Sequence, residues 1–367
     1  MNTVNRQLAS RVFSAFAGKR VLVTGHTGFK GAWLSLWLAE LGAQVYGLSL
    51  PATQPSGMYS YLKPTTFGEE LTLDIADRPA VQAAVEAIQP DLVFHLAAQA
   101  LVRQSYDDPW HTLQTNVMGS ASLLEAVRRL SKTCHTIFVT SDKCYRNREW
   151  VYSYRENDAL GGRDPYSMSK AAAELVAESW RRSFFDKLPQ ASRVISVRAG
   201  NVIGGGDYAA DRLIPDCVRA AVAHRPLVIR NPTATRPWQH VLDCLYGYLL
   251  TAAIVPSLPA SEELECFNFG PTDPHAHRVA SVAELFFQHW AQATPGVVIE
   301  AAVNQPDEAH YLSLSIEKAQ RLLGWRPVWS FATAIQRTAQ WYAAQHLEQA
   351  DMLAVSRQQI AQFAQDA

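Results

Sequence analysis

The sequence predicts an α/β protein whose main domain is a doubly wound parallel sheet and whose smaller second domain follows in the chain. Strand-like and helix-like segments alternate through the first half, and a glycine-rich turn separates the first strand from the first helix. Strict alternation with short links indicates parallel strands joined by right-handed crossovers. The length of 367 residues exceeds that of one ordinary domain, which favours a two-domain chain.

Each element of the first half is predicted from its hydrophobic period. Short β-branched runs indicate strands, and apolar residues spaced three and four apart indicate helices. A glycine ends the first helix and a proline opens the second, as is common at helix ends and starts. In chain order the alternating segments are RVLVTG, KGAWLSLWLAELG, QVYGLSL, PAVQAAVEAIQ, DLVFHLAA, TLQTNVMGSASLLEAVRRL, HTIFVTS, SKAAAELVAESWRRSFF and SRVISVRAGNV.

The alternation breaks at about Asn201, where GGGD, RNPTATRPWQHV and several proline-containing loops follow. We therefore expect residues 1–200 to form the first domain and residues 201–367 to form mainly the second. The segment 241–270 contains the apolar helix LYGYLLTAAIV and the strand CFNFG. We expect this segment to return to the first domain.

Composition excludes several classes of protein. The formal net charge is −1 with no long basic run, which argues against a nucleic-acid or membrane-surface partner. The five cysteines include no CxxC motif, so we expect reduced thiols with neither a disulfide framework nor a metal site. The apolar segments are too short to span a bilayer. These features predict a soluble, cytoplasmic protein.

The glycine-rich turn predicts a dinucleotide-binding loop. Gly25, Gly28 and Gly31 follow the first strand directly and open the first helix. Glycine allows a tight turn and close approach to a pyrophosphate, and the helix N-terminus supplies N–H donors. A tight turn without a ligand would explain the same glycines. The second strand ends at Ser49 with no acidic residue or early arginine, so NAD over NADP does not follow from this position.

Three polar groups follow the strand HTIFVTS, and a tyrosine–lysine pair lies downstream. Ser141, Asp142 and Lys143 come at the strand end; alone, they would suggest a polar turn with a solvated ion pair. Tyr166 and Lys170 are four apart on a predicted helix and therefore share a face. An ammonium beside a phenol favours phenolate and lowers its pKa from about 10. Such a tyrosine can take a proton from a sugar hydroxyl.

TGHTGFKG, HLAAQ, TSDK and YSMSK occur in this order, and together the chain resembles the extended short-chain dehydrogenase/reductase family in its nucleotide-sugar dehydratase branch. The resemblance spans roughly residues 20–330. It implies a Rossmann-type domain with NAD, a substrate-binding second domain and a redox-neutral dehydration of a nucleotide-linked glucose. In that reaction C4 is oxidised, water is eliminated across C5 and C6, and the same hydride returns to C6.

The resemblance also assigns roles to individual residues. Ser141 corresponds to the hydroxyl partner of the sugar C4 oxygen, Tyr166 to the base, and Lys170 to its electrostatic partner. Related dTDP-sugar dehydratases have Asp-Glu where this chain has Asp142-Lys143; the acid protonates the leaving C6 hydroxyl and its neighbour takes the C5 proton. A lysine can do so only when neutral, so we expect Asp142 to carry a proton that Lys143 lacks.

The predicted binding residues complete the site. Asp74 follows a short strand and can accept from the adenine amino group, although a helix N-cap explains it equally. The predicted cofactor contacts are Gly25, Thr27, Gly28, Phe29, Lys30, Gly31, Asp74, Ile75, Ala97, Tyr166 and Lys170. The predicted substrate contacts are Arg103, Ser105, Asn201 and Arg236. For Arg236, bidentate pyrophosphate binding competes with a structural ion pair. For Asn201 the alternative is a loop cap, and for Arg103 and Ser105 a purely structural role.

Other hypotheses for the whole chain remain. A nucleotide-sugar 4-epimerase needs only the tyrosine and lysine, and a catalytically silent NAD-binding scaffold needs neither.

The helices from Thr112 to Leu130 and from Ser169 to Phe185 are apolar on more than one face. Such helices require cover on both sides, which predicts a homodimer or homotetramer through a four-helix interface. Cover by the second domain is the alternative.

Overall fold

A computed structural model of the protein describes residues 12, 14–188, 190–229, 231–273, 277–290, 296–299 and 311–367. Its centre is a seven-stranded sheet in the order β10-β6-β5-β4-β1-β2-β3, in which every neighbouring pair is parallel. The predicted doubly wound α/β fold is confirmed. The strand order reverses beside β1, and ligands bind at such a switch point in open α/β sheets.

The strands of this sheet are β1 (Arg20–Thr24), β2 (Gln44–Ser49), β3 (Glu69–Thr72), β4 (Leu92–His95), β5 (His135–Val139), β6 (Val194–Ala199) and β10 (Cys266–Phe269). Two small two-stranded sheets pair β7 (Val202–Ile203) with β9 (Gln239–His240) and β8 (Leu227–Ile229) with β11 (Val297–Ile299). The CFNFG strand therefore joins the central sheet, as expected from the sequence.

The helices in the described part of the chain are α1 (Phe29–Glu40), α2 (Arg78–Ile88), α3 (Val102–Asp107), α4 (Pro109–Leu113), α5 (Ser120–Arg128), α6 (Pro165–Ser183), α7 (Leu213–Val222), α8 (Val241–Ile254), α9 (Val279–Gln288), α10 (Glu317–Leu323), α11 (Phe331–His346) and α12 (Met352–Asp366). None of these helices is long and apolar enough to cross a membrane. The segment LYGYLLTAAIV lies within α8, which is largely buried as expected.

The central sheet separates two hydrophobic cores because side chains alternate between its faces. Val21 and Val23 of β1 belong to the core that contains α1 and α8, whereas Leu22 belongs to the core under α2, α5 and α6. The tail after residue 350, which carried no motif, forms α12 and packs on α1. There the rings of Trp37 and Phe363 lie 5.5 Å apart in an edge-to-face contact.

The single helix predicted from Thr112 to Leu130 is wrong. The structure divides it into α4, a π-helical turn over Gln114–Gly119, and α5. Asn116 in that turn is buried: its Nδ2 donates to the Gln99 carbonyl (3.0 Å) and to Ser169 Oγ (2.9 Å), and its Oδ1 accepts from Gln99 N (2.8 Å). The wider turn thus directs a polar side chain between the HLAAQ loop and α6.

A buried carboxyl group joins α8 to the segment before α11. Asp243 Oδ1 accepts hydrogen bonds from Val328 N (2.6 Å) and Trp329 N (3.4 Å), while Oδ2 has no hydrogen-bond partner among the described residues. Burial raises the pKa of Asp243 to about 7, more than these two bonds lower it. A carboxyl group whose folded pKa is raised holds its proton in the folded state longer than in the unfolded chain. Its stabilising contribution is therefore lost as the pH rises toward 7.

We predict that Asp243→Asn removes this part of the pH dependence of stability. Asparagine keeps an oxygen acceptor for both N–H groups but has no proton to lose. Between pH 5 and pH 7 the free energy of unfolding of the wild type should fall relative to the variant by on the order of 2 kcal/mol. Urea unfolding at several pH values measures this difference, and parallel curves for the two proteins would contradict the prediction.

Candidate active site

The glycine-rich loop closes tightly between β1 and α1. Gly25 has φ +74°, and a Cβ there would lie 2.7 Å from Ala97 N; a Cβ on Gly31 would lie 2.1 Å from the Gly25 carbonyl oxygen. Gly28 is the N-cap of α1, and no side chain of the described residues caps this helix. The first-turn N–H groups of α1 are therefore available to an anion. The loop fits the pyrophosphate of a dinucleotide.

Neighbouring loops place the other predicted cofactor contacts around this turn. Thr27 Oγ1 lies 2.7 Å from Ser49 Oγ, which joins the loop to the end of β2. Ile75 is buried against the π-helical turn. Asp74 accepts from Ala76 N at 2.9 Å within its own turn, and Asp77 caps α2 instead. The alternative that Asp74 is the N-cap of α2 is therefore wrong.

Lys30 extends from the first turn of α1 toward α8. Its Nζ lies 3.4 Å from the hydroxyl of Tyr248 and 5.7 Å from the centre of that ring. The positive charge of Lys30 also lowers the pKa of Lys170. The structure thus places this lysine between the glycine-rich loop and the catalytic candidates, a position that the sequence pattern left unexplained.

A short 3₁₀ turn over Asp142–Cys144 follows β5, with Ser141 as its N-cap. Ser141 Oγ accepts from Lys143 N (3.2 Å) and donates to Asp142 Oδ1 (2.9 Å). Asp142 is only 4% exposed, so its carboxyl group is not solvated. The solvated ion pair considered from the sequence is therefore wrong. Burial raises the pKa of Asp142 more than Lys143, Ser141 and Arg236 lower it, which favours the protonated acid.

Tyr166 and Lys170 lie on the first two turns of α6, and both are buried. The helix begins at Pro165 and is capped by Asp164, which accepts from Ser167 N at 2.9 Å. Burial raises the pKa of the Tyr166 phenol to about 12, against the hydrogen bond with Ser141. The expected lowering of the Tyr166 pKa is therefore wrong, because desolvation outweighs the interactions with Ser141 and Arg212 that lower it. Burial, with a smaller effect of Lys30, lowers the pKa of Lys170 to about 8.

The predicted substrate contacts differ in their surroundings and hydrogen-bond partners. Arg236 donates to the Thr235 carbonyl (2.9 Å) and lies close enough to Asp142 to affect its pKa. Arg103 forms an ion pair with Asp211 at 3.2 Å at the rim. Ser105 is fully buried, and its hydroxyl donates to the Val102 carbonyl and accepts from Tyr166 N. This geometry favours the structural alternative for Ser105.

Asn201 lies at the start of the loop that follows β6, where its carbonyl oxygen accepts from Gln239 N at 3.0 Å. This backbone bond attaches the loop to the small sheet formed by β7 and β9. Asn201 is partly exposed, so its side chain remains a candidate substrate contact. Among the described residues, no three His, Cys, Asp or Glu side chains are grouped so that they could hold a metal ion.

Comparison with known proteins identifies the family. The sequence profile of a family described as GDP-mannose 4,6 dehydratase matches residues 22–338. The chain belongs to this family. It is 44% identical to CDP-glucose 4,6-dehydratase of Salmonella typhimurium, over 94% of this chain and 96% of the relative. It is 29% identical to a probable dTDP-glucose 4,6-dehydratase of Sinorhizobium fredii, over 88% of this chain and 92% of the relative.

Solved structures have the same fold. An epimerase from Methanothermobacter thermautotrophicus superposes with a TM-score of 0.77 at 26% identity, covering 92% of this chain and 96% of that one. A dTDP-glucose 4,6-dehydratase from Bacillus anthracis in complex with NAD gives a TM-score of 0.73 at 21% identity, covering 91% of this chain and 99% of that one. The second comparison, at its lower identity, supports the fold alone.

Two groups near the site of this GDP-mannose 4,6 dehydratase family member were missed from sequence. Arg212 lies before α7, forms an ion pair with Asp207 at 2.7 Å, and lies close enough to Tyr166 to oppose the rise in its pKa. Glu174, one turn after Lys170, forms a buried ion pair with Arg198 of β6. The four-residue spacing from Lys170 to Glu174 was the available signal, but spacing does not show that a glutamate is buried.

Proposed function

We propose that this protein converts CDP-glucose to CDP-4-keto-6-deoxyglucose and water with NAD as a bound cofactor. The 44% identity to a CDP-glucose 4,6-dehydratase over 94% of the chain carries this proposal. The buried acid Asp142 supports it, because elimination of water requires a proton donor and Asp142 is bonded to Ser141 and lies close enough to Tyr166 to raise its pKa. The enzyme is a lyase that acts in the cytoplasm, and its product enters deoxysugar and lipopolysaccharide biosynthesis.

The cofactor would be held by the glycine-rich loop and α6. Gly25, Gly28 and Gly31 would admit the pyrophosphate to the N-terminus of α1, and Lys170 would bond the nicotinamide ribose. Bound NAD supplies the acceptor and later the donor of one hydride, so no net oxidation results. Thr27, Phe29, Lys30, Asp74, Ile75 and Ala97 complete the proposed cofactor contacts.

The oxidation step uses Tyr166, Ser141 and Lys170. The Tyr166 phenolate removes the proton from the C4 hydroxyl while Ser141 Oγ hydrogen-bonds the C4 oxygen. Since burial raises the pKa of Tyr166 to about 12, the phenolate needs a positive charge beside it. Lys170, four residues after Tyr166 on α6, would supply that charge, because the nearby Glu174 carboxylate is already paired with Arg198.

The elimination step uses Asp142 and Lys143. The new C4 ketone acidifies the proton on C5, which the Lys143 amine removes, and Asp142 gives its proton to the departing C6 hydroxyl. Water leaves, a C5=C6 double bond forms, and the hydride returned to C6 with a proton at C5 completes the product. Burial raises the pKa of Asp142, which favours the proton that this step requires on the acid. Arg236 and Asn201 bind the substrate phosphates and Arg103 lies beside the glucose, while Ser105, first predicted as a substrate contact, supports the start of α6 through Tyr166 N.

Comparing nucleotide-glucoses tests the proposed function. The protein is incubated with CDP-, dTDP-, GDP- and UDP-glucose, and the near-ultraviolet absorbance of 4-keto sugars in alkali is measured. We expect product from CDP-glucose at the highest kcat/KM. Preference for another nucleotide identifies a different 4,6-dehydratase. Inversion at C4 without a keto product identifies a 4-epimerase, which has no use for a buried acid at Asp142.

We predict that Lys143→Met separates the two steps. Oxidation should proceed, because Tyr166 and Lys170 are intact, so enzyme-bound NADH forms from CDP-glucose. Product formation and solvent deuterium at C5 should fall by at least about 100-fold, since general-base catalysis contributes that much. Tyr166→Phe should lose NADH formation as well. Lys132→Met, at the amino end of β5, is the control and should act as the wild type does. Near wild-type dehydration by Lys143→Met would place the C5 base elsewhere.

We also propose that the protein is a homodimer, or a tetramer of two such dimers, joined through α4, the π-helical turn and α6. Leu123, Leu124 and Val127 are apolar residues of the predicted helix from Thr112 to Leu130, but they are covered by their own chain. The same part of the fold nevertheless exposes other large apolar side chains: Trp110 is 69% exposed, Met118 60% and Leu175 55%. Exposed apolar patches of this kind are typical of interfaces.

Light scattering should therefore give at least twice the chain mass of 40.7 kDa. Trp110→Glu and Leu175→Glu should lower the measured mass, because a charge buried in an apolar interface is costly. Val151→Glu is the matched control, since Val151 is equally apolar and 81% exposed but lies in the loop after β5. A monomeric wild type at micromolar concentration contradicts the prediction.

A further inference from the structure

A buried ion pair lies beneath the catalytic candidates and is not used in the chemistry described above. Glu174 of α6 and Arg198 of β6 are each 4% exposed. Arg198 donates to both carboxylate oxygens of Glu174, from Nε at 2.8 Å and from Nη2 at 2.9 Å. The hydroxyls of Thr140 and Ser196 donate to the same carboxylate. Burial raises the pKa of Glu174, but Arg198 and the two hydroxyls outweigh it and hold this pKa below its ordinary value.

The remaining guanidinium nitrogen extends the pair toward the end of the catalytic segment. Arg198 Nη1 donates to the Tyr145 hydroxyl at 2.7 Å and to the Glu156 carbonyl at 3.0 Å. The Tyr145 hydroxyl in turn donates to Asn268 Oδ1 at 2.8 Å, and the guanidinium lies 5.0 Å from the centre of the Tyr145 ring. Tyr145 is therefore fixed by its hydroxyl and by its ring.

These contacts attach both ends of one short segment to a single ion pair. Thr140 immediately precedes Ser141, and Tyr145 follows Asp142, Lys143 and Cys144. The Glu174 carboxylate accepts from Thr140 and lies on α6, one turn beyond Lys170, while its partner Arg198 donates to Tyr145. The ion pair thus connects the turn that carries the acid and the base to the helix that carries Tyr166 and Lys170.

We propose that the Glu174–Arg198 pair is a positioning device that sets Asp142 and Lys143 against the substrate for the elimination step. The proposal rests on the dehydration proposed above. Oxidation uses Tyr166 and Lys170, which lie on one helix, and only Ser141 from this segment, whereas elimination needs Asp142 and Lys143 of the segment to reach adjacent carbons together. A displacement of about 1 Å in such a group slows a reaction by up to 100-fold.

Removing either Glu174 or Arg198 would leave a buried charge unpaired, which is strongly destabilising. The proposal is therefore tested by conservative changes of side chains that hydrogen-bond the ion pair. Thr140→Val and Tyr145→Phe each delete one hydroxyl from the segment ends. Ser196→Ala is the matched control for Thr140, because it deletes a hydroxyl bonded to the same carboxylate from within β6. Tyr154→Phe is the control for Tyr145, because its ring stacks on Tyr145 at 5.2 Å while its hydroxyl bonds Arg148 N and Asn147 Oδ1.

We expect Thr140→Val and Tyr145→Phe to slow product formation about tenfold while NADH forms at near the wild-type rate, so that NADH accumulates on the enzyme. The two controls should neither slow the reaction nor accumulate NADH. Amide hydrogen exchange of a peptide containing residues 141–145 should accelerate in the first two variants only. Equal behaviour of Thr140→Val and Ser196→Ala in both measurements would overturn the proposal and leave the ion pair a purely structural role.

The exchange measurement needs no turnover, so the outcome does not depend on the proposed reaction. A wild-type protein that dehydrates no nucleotide-glucose would refute the proposed function, while unchanged exchange in Thr140→Val and Tyr145→Phe would refute the positioning role. Thermal unfolding of all four variants identifies a general loss of folding, which would lower oxidation and elimination together and would also count against the proposal.

Discussion

Burying an ionised group costs several kcal/mol unless hydrogen bonds and an opposite charge replace the lost water, and the candidate site is organised by this constraint. Two buried carboxyl groups lie on neighbouring elements, and their pKa values are shifted in opposite directions. Glu174 receives donors on both oxygens from Arg198 and from two hydroxyls, and its pKa lies below the ordinary value. Asp142 receives one side-chain hydroxyl and one backbone N–H, and burial raises its pKa. One group is thereby kept as a structural anion and the other as an acid that can donate a proton.

The same constraint explains the behaviour of Lys170. Glu174 lies one turn away on α6, but its carboxylate is occupied by Arg198, so it only partly offsets the burial of the lysine. With Lys30 also nearby, the pKa of Lys170 lies at about 8. Among the described residues, Lys170 forms no ion pair with a carboxylate, and its charge is therefore a candidate partner for a phenolate or a ribose hydroxyl. If Lys170 were paired with Glu174, its charge would already be neutralised by that carboxylate.

Much of the fold and part of the site were predictable from sequence. The alternation of periods and the glycines at 25, 28 and 31 were sufficient for the parallel sheet and its first turn, because both depend on local backbone requirements. The break at Gln114–Gly119 was not predictable, since a π-helical turn preserves an apolar pattern on either side. The i, i+4 spacing of Tyr166 and Lys170 gave their shared face but not their burial, so the predicted direction of the phenol pKa was wrong. Glu174 and Arg198 are distant in sequence, and only the sheet brings them together.

An acid and a base at adjacent positions are useful only when they do not neutralise each other. A direct ion pair between Asp142 and Lys143 would place the proton on the amine and leave neither group able to act. In the structure, Ser141 Oγ donates to Asp142 Oδ1 and accepts from Lys143 N, so the serine lies between the carboxyl group and the lysine backbone. Asp142 is buried, whereas Lys143 is partly exposed. Burial raises the pKa of Asp142 more than the nearby Lys143 charge lowers it, which favours the protonated carboxyl group. The two neighbours in sequence therefore differ in exposure, and that difference favours a proton on the acid.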